Sequence, residues 1–188
     1  MEEPSDEHLM HQVLGGERGA LTALVERHHR PLLGYLYRLT DGDRPLAEDL
    51  VQETFTRLLT PANFQAGRPF KPWLYAIATN LVRDTWRSSE VRRTTAVPDD
   101  TLPELPDPEP TPEECAIAAE EGRAIRAALR QLGEEYRITL ALRFYQGLRL
   151  EEVAATLGVP LGTVKSRLSV GTRRLRHLLA TIHEEVPE

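Results

Sequence analysis

Residues 150–168 of the chain read LEEVAATLGVPLGTVKSRL, and this stretch decides the fold prediction. Its apolar residues recur at helical spacing on both sides of a short break. Ala154 is small enough for two helices to cross closely, and Gly158 can adopt the left-handed conformation that ends a helix. Val164 is expected to pack the second helix back on the first. The stretch therefore predicts a helix-turn-helix unit.

The second helix of this unit is expected to present a polar and basic outward face. That face carries Thr163, Lys165, Ser166 and Arg167. These residue types donate hydrogen bonds to phosphates and base edges, as a recognition helix in the major groove must. An ordinary helical hairpin with a solvated basic face is the alternative. It is disfavoured because the turn, the small residue and the basic helix coincide.

The charge distribution also favours nucleic acid, although the net charge is −6. Residues 161–178 contain five lysines and arginines and no acid, and residues 68–93 contain six against two acids. Local basic patches, rather than the total charge, decide whether a phosphate backbone is attracted. Two segments of the chain therefore have the charge that DNA binding requires.

The rest of the chain predicts helices and no strands. Apolar residues recur at helical spacing, without a sustained period of two, over residues 21–39, 46–59, 72–85, 117–132 and 136–144. An interior proline costs about 3 kcal/mol, so Pro31 predicts a kink or a new helix start. We therefore expect an all-α protein made of two small helical bundles.

A proline-rich acidic segment divides the two bundles. Residues 97–112 contain six prolines and five acids but no base. Such a segment cannot form a helix interior, and its charges repel one another into an extended chain. We predict an N-terminal extension at 1–17, a first domain at 18–94, a linker at 95–112 and a second domain at 113–183.

Composition excludes several other classes of protein. No apolar run approaches the length of a membrane span, and the acidic N-terminus does not resemble a signal peptide, so we expect a cytoplasmic protein. Cys115 is the only cysteine, which excludes an intramolecular disulfide and a cysteine-rich zinc site. The enzyme motifs for nucleotides, dinucleotides and nucleophilic serine are absent. We expect no enzyme activity and no cofactor.

Histidines raise the question of a metal site. His8 and His11 are spaced i, i+3, and His28 and His29 are adjacent, but no metalloenzyme helix motif accompanies them. His28 falls on the apolar stripe of its helix, where a packed histidine is the favoured interpretation. We therefore predict no metal site.

Three segments resemble extracytoplasmic-function (ECF) sigma factors, in the order of that family. Residues 136–147 (YRITLALRFYQG) with 161–168 (LGTVKSRL) look like region 4. AEDLVQETF at 47–55 resembles region 2.2, and FKPWLYAIATNLVRD at 70–84 resembles regions 2.3 and 2.4. The resemblance covers residues 18–180. It implies a monomer that binds RNA polymerase core through the β and β′ subunits, directs it to promoter DNA, and is held by an anti-sigma factor.

The resemblance assigns a core-polymerase surface to residues 46–59. Asp49, Gln52 and Glu53 lie at i, i+3 and i+4, which places them on one ridge of a helix. The pattern alone is more typical of a solvated face. The resemblance implies instead that this ridge, together with Phe55, holds the clamp of the β′ subunit.

The resemblance also assigns two DNA surfaces. The residues implied for the minus-ten element are Lys71, Trp73, Asn80, Arg83 and Arg87. The residues implied for the minus-thirty-five element are Thr163, Lys165, Ser166, Arg167, Arg173 and Arg174. Taken by itself, Trp73 is more often a core residue than a ligand. The acidic linker is either a spacer or a segment that occupies the nucleic-acid channels of the polymerase.

The chain departs from the family pattern at two points. Arg149 stands where the family often has serine, so the usual N-cap of the first motif helix is absent. SVGT at 169–172 replaces the usual basic continuation, and Gly171 weakens a helix by up to about 1 kcal/mol. The promoter contacts of the second half of that helix are therefore left open.

Two other functions compete with the sigma-factor hypothesis. A helix-turn-helix repressor with an N-terminal ligand or dimerisation domain would explain the C-terminal half, but it leaves the 49–55 ridge and the linker without a role. A histidine-dependent metal hydrolase would need stoichiometric bound metal.

Overall fold

The computed structural model describes residues 4–60, 64, 67–91, 125 and 127–184, and over these residues it contains helices and turns but no strand. The prediction of an all-α protein is confirmed. The helices whose bounds are described are α1 (Asp6–Leu14), α2 (Arg18–Leu39), α3 (Arg44–Leu58), α4 (Phe70–Val91), α5 (Glu134–Leu140, continued by a π-helical turn at Ala141–Tyr145), α6 (Leu150–Leu157) and α7 (Leu161–Glu184), and residues 127–130 are also helical.

Helix α2 runs through Pro31 without interruption, so the alternative of a new helix start there is wrong. Pro31 is exposed, while Leu24 and Leu32 on the other face are fully buried. The apolar face packs on both sides of the proline. This tertiary packing outweighs the loss of one helical hydrogen bond, because proline has no N–H to donate to the carbonyl of residue 27.

A turn follows α2 and leads into α3. Asp41 and Gly42 both have positive φ, at 59° and 89°. Asp43 then caps α3, because its side chain accepts a hydrogen bond of 3.0 Å from the Leu46 amide. Pro72 lies in the first turn of α4, as its position in the sequence predicts.

Helix α1 is part of the N-terminal bundle. Leu9 and Met10 of α1 are buried in the same core as residues of α2, α3 and α4. This helix falls within the segment 1–17 that we expected to be an extension. The four predicted domain boundaries remain predictions, and the linker at 95–112 lies outside the described residues.

The helix-turn-helix has the predicted geometry. Gly158 ends α6 with φ 64° and ψ 35°, which is the left-handed conformation expected of it. Val164 of α7 is fully buried. Glu152 supplies the other half of a capping box, because its carboxylate accepts a 2.6 Å hydrogen bond from the Arg149 amide.

Gly171 allows α7 to cross α5 closely. A Cβ atom built on Gly171 would lie 3.3 Å from Leu140 Cδ1 and 3.3 Å from Tyr136 Cβ, both on α5. The glycine that weakens the helix in the sequence therefore permits the packing of the second bundle.

Candidate nucleic-acid interface

The start of α7 presents some of its predicted DNA residues to solvent, but not all of them. Lys165 and Ser166 are exposed, and Thr163 is half-buried. Arg167 turns inward: its side chain is 21% exposed and its Nη2 lies 3.6 Å from Glu135 Oε2 on α5. The outward orientation predicted for Arg167 is wrong, because the residue lies one turn beyond buried Val164 on the side that faces α5.

The second half of α7 continues the polar surface. Arg173 and Arg174 are exposed, and the Arg174 guanidinium lies 4.8 Å from the centre of the Tyr136 ring. A shallow groove on this helix is lined by Leu168, Ser169, Thr172, Arg173 and Arg176. The segment SVGT at 169–172, where the chain departs from the family pattern, thus contributes hydroxyl groups to the same face of α7 as Arg173 and Arg176.

The predicted DNA-binding residues of helix α4 differ in exposure. Asn80 and Arg87 are exposed, and Arg83 is half-buried. Trp73 is only 3% exposed and packs between the rings of Phe64 and Phe70, at centroid distances of 4.9 and 6.0 Å. Trp73 is therefore a core residue in this structure, as its residue type alone indicates.

The ridge on α3 is exposed along its length. Asp49, Gln52 and Glu53 all face solvent, and Glu53 Oε1 accepts a 2.8 Å hydrogen bond from Arg57 Nε. Phe55 is 9% exposed and belongs to the core of the bundle. The ridge is thus a polar surface of three residues, with Phe55 behind it.

The two bundles meet at Gln146, which the sequence analysis did not single out. Lys71 Nζ donates to the Gln146 carbonyl at 2.7 Å, and the Tyr75 hydroxyl donates to Gln146 Oε1 at 2.5 Å. Gln146 Nε2 donates to the Pro31 carbonyl at 3.2 Å. Burial raises the pKa of the Tyr75 hydroxyl, so it remains a neutral donor at physiological pH.

A second contact between the bundles involves Arg137 of α5. Its Nη1 donates to Asp41 Oδ1 at 2.9 Å, and its guanidinium lies 5.3 Å from the centre of the Trp86 ring. Nearby, Thr156 Oγ1 donates to the Pro72 carbonyl at 3.2 Å where α6 packs against α4. Because Lys71 donates to Gln146, this predicted minus-ten residue also belongs to the junction between the bundles.

The described part of the chain holds no group of three histidine, cysteine or acidic side chains able to bind a metal ion. His28 is buried and its Nε2 lies 2.8 Å from Asp6 Oδ2. This is the packed histidine that the sequence favours. Within the same residues, none of the helices has the length and apolar character needed to cross a membrane.

Comparison with known proteins identifies both bundles. Residues 24–92 match the family model of Sigma-70 region 2, and residues 122–175 match that of Sigma-70, region 4. The ECF RNA polymerase sigma factor SigE of Mycolicibacterium smegmatis is 38% identical over 192 residues, which cover 99% of this chain and 74% of the relative.

The chain belongs to the ECF family of RNA polymerase sigma factors. The sigma factor SigL of Mycobacterium tuberculosis is 36% identical, over 85% of this chain and 89% of its own length. The family places region 2 on α2, α3 and α4, and region 4 on α5, α6 and α7. A repressor is not favoured, since it would leave the region 2 match without a role.

Two solved structures share the fold of this sigma factor. CnrH in complex with the cytosolic domain of CnrY has a TM-score of 0.70 at 23% identity, covering 95% of this chain and 99% of that one. Bartonella quintana RpoE in complex with the anti-sigma factor NepR has a TM-score of 0.67 at 24% identity, over 85% and 96% of the two chains.

Proposed function

We propose that this sigma factor binds RNA polymerase core and directs it to promoters by contacting the minus-ten element with region 2 and the minus-thirty-five element with region 4. The observation that carries the proposal is the presence of both family regions in order on one chain. Region 2 adds an exposed acidic ridge on α3, and region 4 adds an exposed basic face on α7.

The α3 ridge is our candidate for the contact with the β′ clamp. Asp49, Gln52 and Glu53 offer carboxylate and amide oxygens on a continuous exposed surface. Such groups suit a partner helix pair that carries arginines, because charge-assisted hydrogen bonds between guanidinium and carboxylate groups are strong and directional. Phe55, buried directly behind the ridge, would hold α3 in place rather than touch the partner.

Helix α4 is our candidate for the minus-ten surface. Asn80 and Arg87 are exposed and Arg83 is half-buried, so this helix offers an amide and guanidinium groups along its outer side. Holding a base out of the duplex costs a few kcal/mol, which a polar pocket and backbone arginines can offset. Lys71 would join this surface once it leaves Gln146, and Trp73 would support the surface from the core.

The start of α7 is our candidate for the minus-thirty-five surface. Lys165 and Ser166 are exposed near the N-terminus of α7, which is the second helix of the helix-turn-helix and the one that such a unit inserts into the major groove. Arg173 and Arg174 follow two turns later and suit phosphate contacts. Thr163 and Arg167 are the less exposed members of the predicted set, and a DNA contact by Arg167 would require it to leave Glu135.

We also propose that the protein works in the cytoplasm, is a monomer when free and is held there by an anti-sigma factor. A sigma factor regulates transcription and is not itself a catalyst, so we assign no catalytic residue, cofactor or metal. The solved complex of RpoE with an anti-sigma factor supports the partner by analogy of fold alone.

The test is reconstitution. The purified chain is added to bacterial RNA polymerase core, the mixture is given genomic DNA, and the transcripts are sequenced from their 5′ ends. We expect a set of start sites that is absent with core alone and that shares sequence elements upstream. A chain that forms no complex with any bacterial core would contradict the proposal.

A further inference from the structure

The first helix of the chain caps the helix that we propose reads the minus-ten element. Glu7 Oε1 of α1 accepts a 2.9 Å hydrogen bond from the backbone amide of Phe70, the first residue of α4. The first amides of a helix have no partner within the helix, so an acceptor side chain placed there satisfies one of them. A residue 63 positions away in the chain therefore supplies the N-terminal cap of α4.

Neighbouring contacts hold Glu7 in place. Asp6 bonds His28 Nε2 at 2.8 Å through one carboxylate oxygen and pairs with Arg27 through the other. The His28 side chain is 7% exposed, and its ring lies 5.2 Å from the ring of Phe70. The start of α1 is thus fixed on α2 through Asp6, and the His28 ring that Asp6 bonds packs on the ring of the first residue of α4.

Helix α1 also contacts the chain just before α4. The His11 ring meets the Phe64 ring edge-on at 6.2 Å, and Phe64 in turn packs on Trp73 at 4.9 Å. Met10, which lies between Glu7 and His11 in the sequence of α1, is fully buried. Helix α1 therefore supports the first turn of α4, which carries Lys71 and Trp73, directly through Glu7 and indirectly through Phe64.

We propose that Glu7, held by Asp6, is a positioning residue for promoter recognition: it fixes the first turn of α4 and thereby the geometry of the minus-ten surface. The inference rests on the proposed function and extends it to α1, which lies before the residues matched by Sigma-70 region 2. Glu7 acts through the Phe70 amide and does not itself contact DNA.

The test compares Glu7→Ala with Glu7→Gln in the full chain bound to core. The readout is the ratio of transcription from a mapped promoter to transcription from the same promoter with its minus-ten element substituted. Glu7→Ala removes the hydrogen-bond acceptor, and loss of a helix cap corresponds to a roughly fivefold fall in this ratio. Glu7→Gln retains an acceptor oxygen and should keep the ratio within about twofold of wild type. Glu26→Ala, at an exposed position of α2, is the matched control and should change nothing.

A loss of overall transcription with an unchanged ratio would show that Glu7 is only structural and would overturn the proposal. An equal fall with Glu7→Gln would also overturn it, because charge rather than the hydrogen bond would then matter. If Glu7→Ala does not fold, Glu7→Asp, which is too short to reach the Phe70 amide, must lower the ratio instead. A wild type that does not bind core would refute the proposed function itself, whereas a selective wild type with an equally selective Glu7→Ala refutes this inference alone.

Discussion

Lys71 donates a 2.7 Å hydrogen bond to the carbonyl of Gln146, and this bond joins the proposed minus-ten helix to region 4. The minus-ten and minus-thirty-five elements are named by their positions, which are about 25 base pairs apart. This separation corresponds to roughly 85 Å of duplex at about 3.4 Å per base pair. Two bundles in direct contact cannot reach both. The 18 residues of the predicted linker at 95–112 could alone extend to roughly 60 Å, and the bundles add their own width, so the chain permits separation.

We therefore expect Gln146→Ala to loosen the contact between the bundles. The change removes two side-chain hydrogen bonds, to Tyr75 and Pro31, which together contribute about 1–3 kcal/mol. Small-angle X-ray scattering of the free protein should show a larger radius of gyration for Gln146→Ala than for wild type. Gln131→Ala, at an exposed position, should match wild type. Equal radii for all three proteins would show that Gln146 does not hold the bundles together.

Lys165 is the exposed base at the start of α7 and the better test of the minus-thirty-five contact. Lys165→Ala should weaken promoter binding by the holoenzyme by about 1–3 kcal/mol while leaving core affinity unchanged, as expected for one lost contact in the groove. Arg18→Ala, an exposed charge on region 2, is the control. Footprinting on a mapped promoter gives the affinities. Unchanged promoter binding by Lys165→Ala would remove the start of α7 from the groove.

Gly171→Ala should destabilise region 4 although alanine is the better helix former. The new Cβ would sit 3.3 Å from Tyr136 Cβ, which cannot move without its backbone. We expect a loss of about 1 kcal/mol or more in the free energy of unfolding, measured by urea titration. Gly162→Ala in the same helix meets no atom within 4 Å and should be neutral or stabilising. A stabilised Gly171→Ala would mean that α5 and α7 do not cross closely.

We expect His28 to make the stability of region 2 depend on pH. Burial lowers the pKa of His28 below its usual value, and this outweighs the opposing effect of Asp6; Arg27 and Lys71 add to the lowering. The folded state therefore favours neutral His28. Its contribution is fully present above the unfolded pKa of about 6.5 and is lost as the pH falls below that value.

His28→Gln keeps a hydrogen-bond donor but cannot titrate, so we expect a flatter dependence of unfolding free energy on pH as the pH falls below about 6.5. Chemical denaturation at a series of pH values measures it. His29→Gln, at the exposed neighbouring position, should keep the wild-type slope. A wild-type slope in His28→Gln would contradict the assignment.

Local sequence signals predicted the elements well, because each depends on a few adjacent residues. Gly158 takes the left-handed conformation that a helix end requires, and Pro72 lies in a first turn. At Pro31 the helix continues and no new helix starts, because packing on the opposite face of α2 maintains it. Local chemistry therefore explains the conformations at Gly158 and Pro72, whereas tertiary packing determines the conformation at Pro31.

The contacts of the candidate surfaces were less predictable, because they depend on residues distant in the chain. Arg167 turns to Glu135, and Gln146 contacts Lys71, Tyr75 and Pro31. The π-helical turn at Ala141–Tyr145 sets the position of Gln146, and periodicity at 3.6 residues gives no sign of it. The cap that Glu7 provides to α4 joins residues 63 positions apart, so local sequence patterns give no sign of it.

The α3 ridge provides the most direct test of the sigma-factor account. Asp49→Arg with Glu53→Arg reverses two exposed charges that do not lie in the core, so circular dichroism should show a folded protein. The matched control, Glu17→Arg with Glu26→Arg, reverses two exposed charges elsewhere.

The measurement is the affinity of the labelled double variant for polymerase core by fluorescence anisotropy. Like charges pressed together at an interface cost several kcal/mol, so we predict a loss of at least about 100-fold for the ridge variant and none for the control. If the ridge is only solvated, the reversal costs roughly 0–1 kcal/mol. A folded ridge variant that binds core with wild-type affinity would contradict the account.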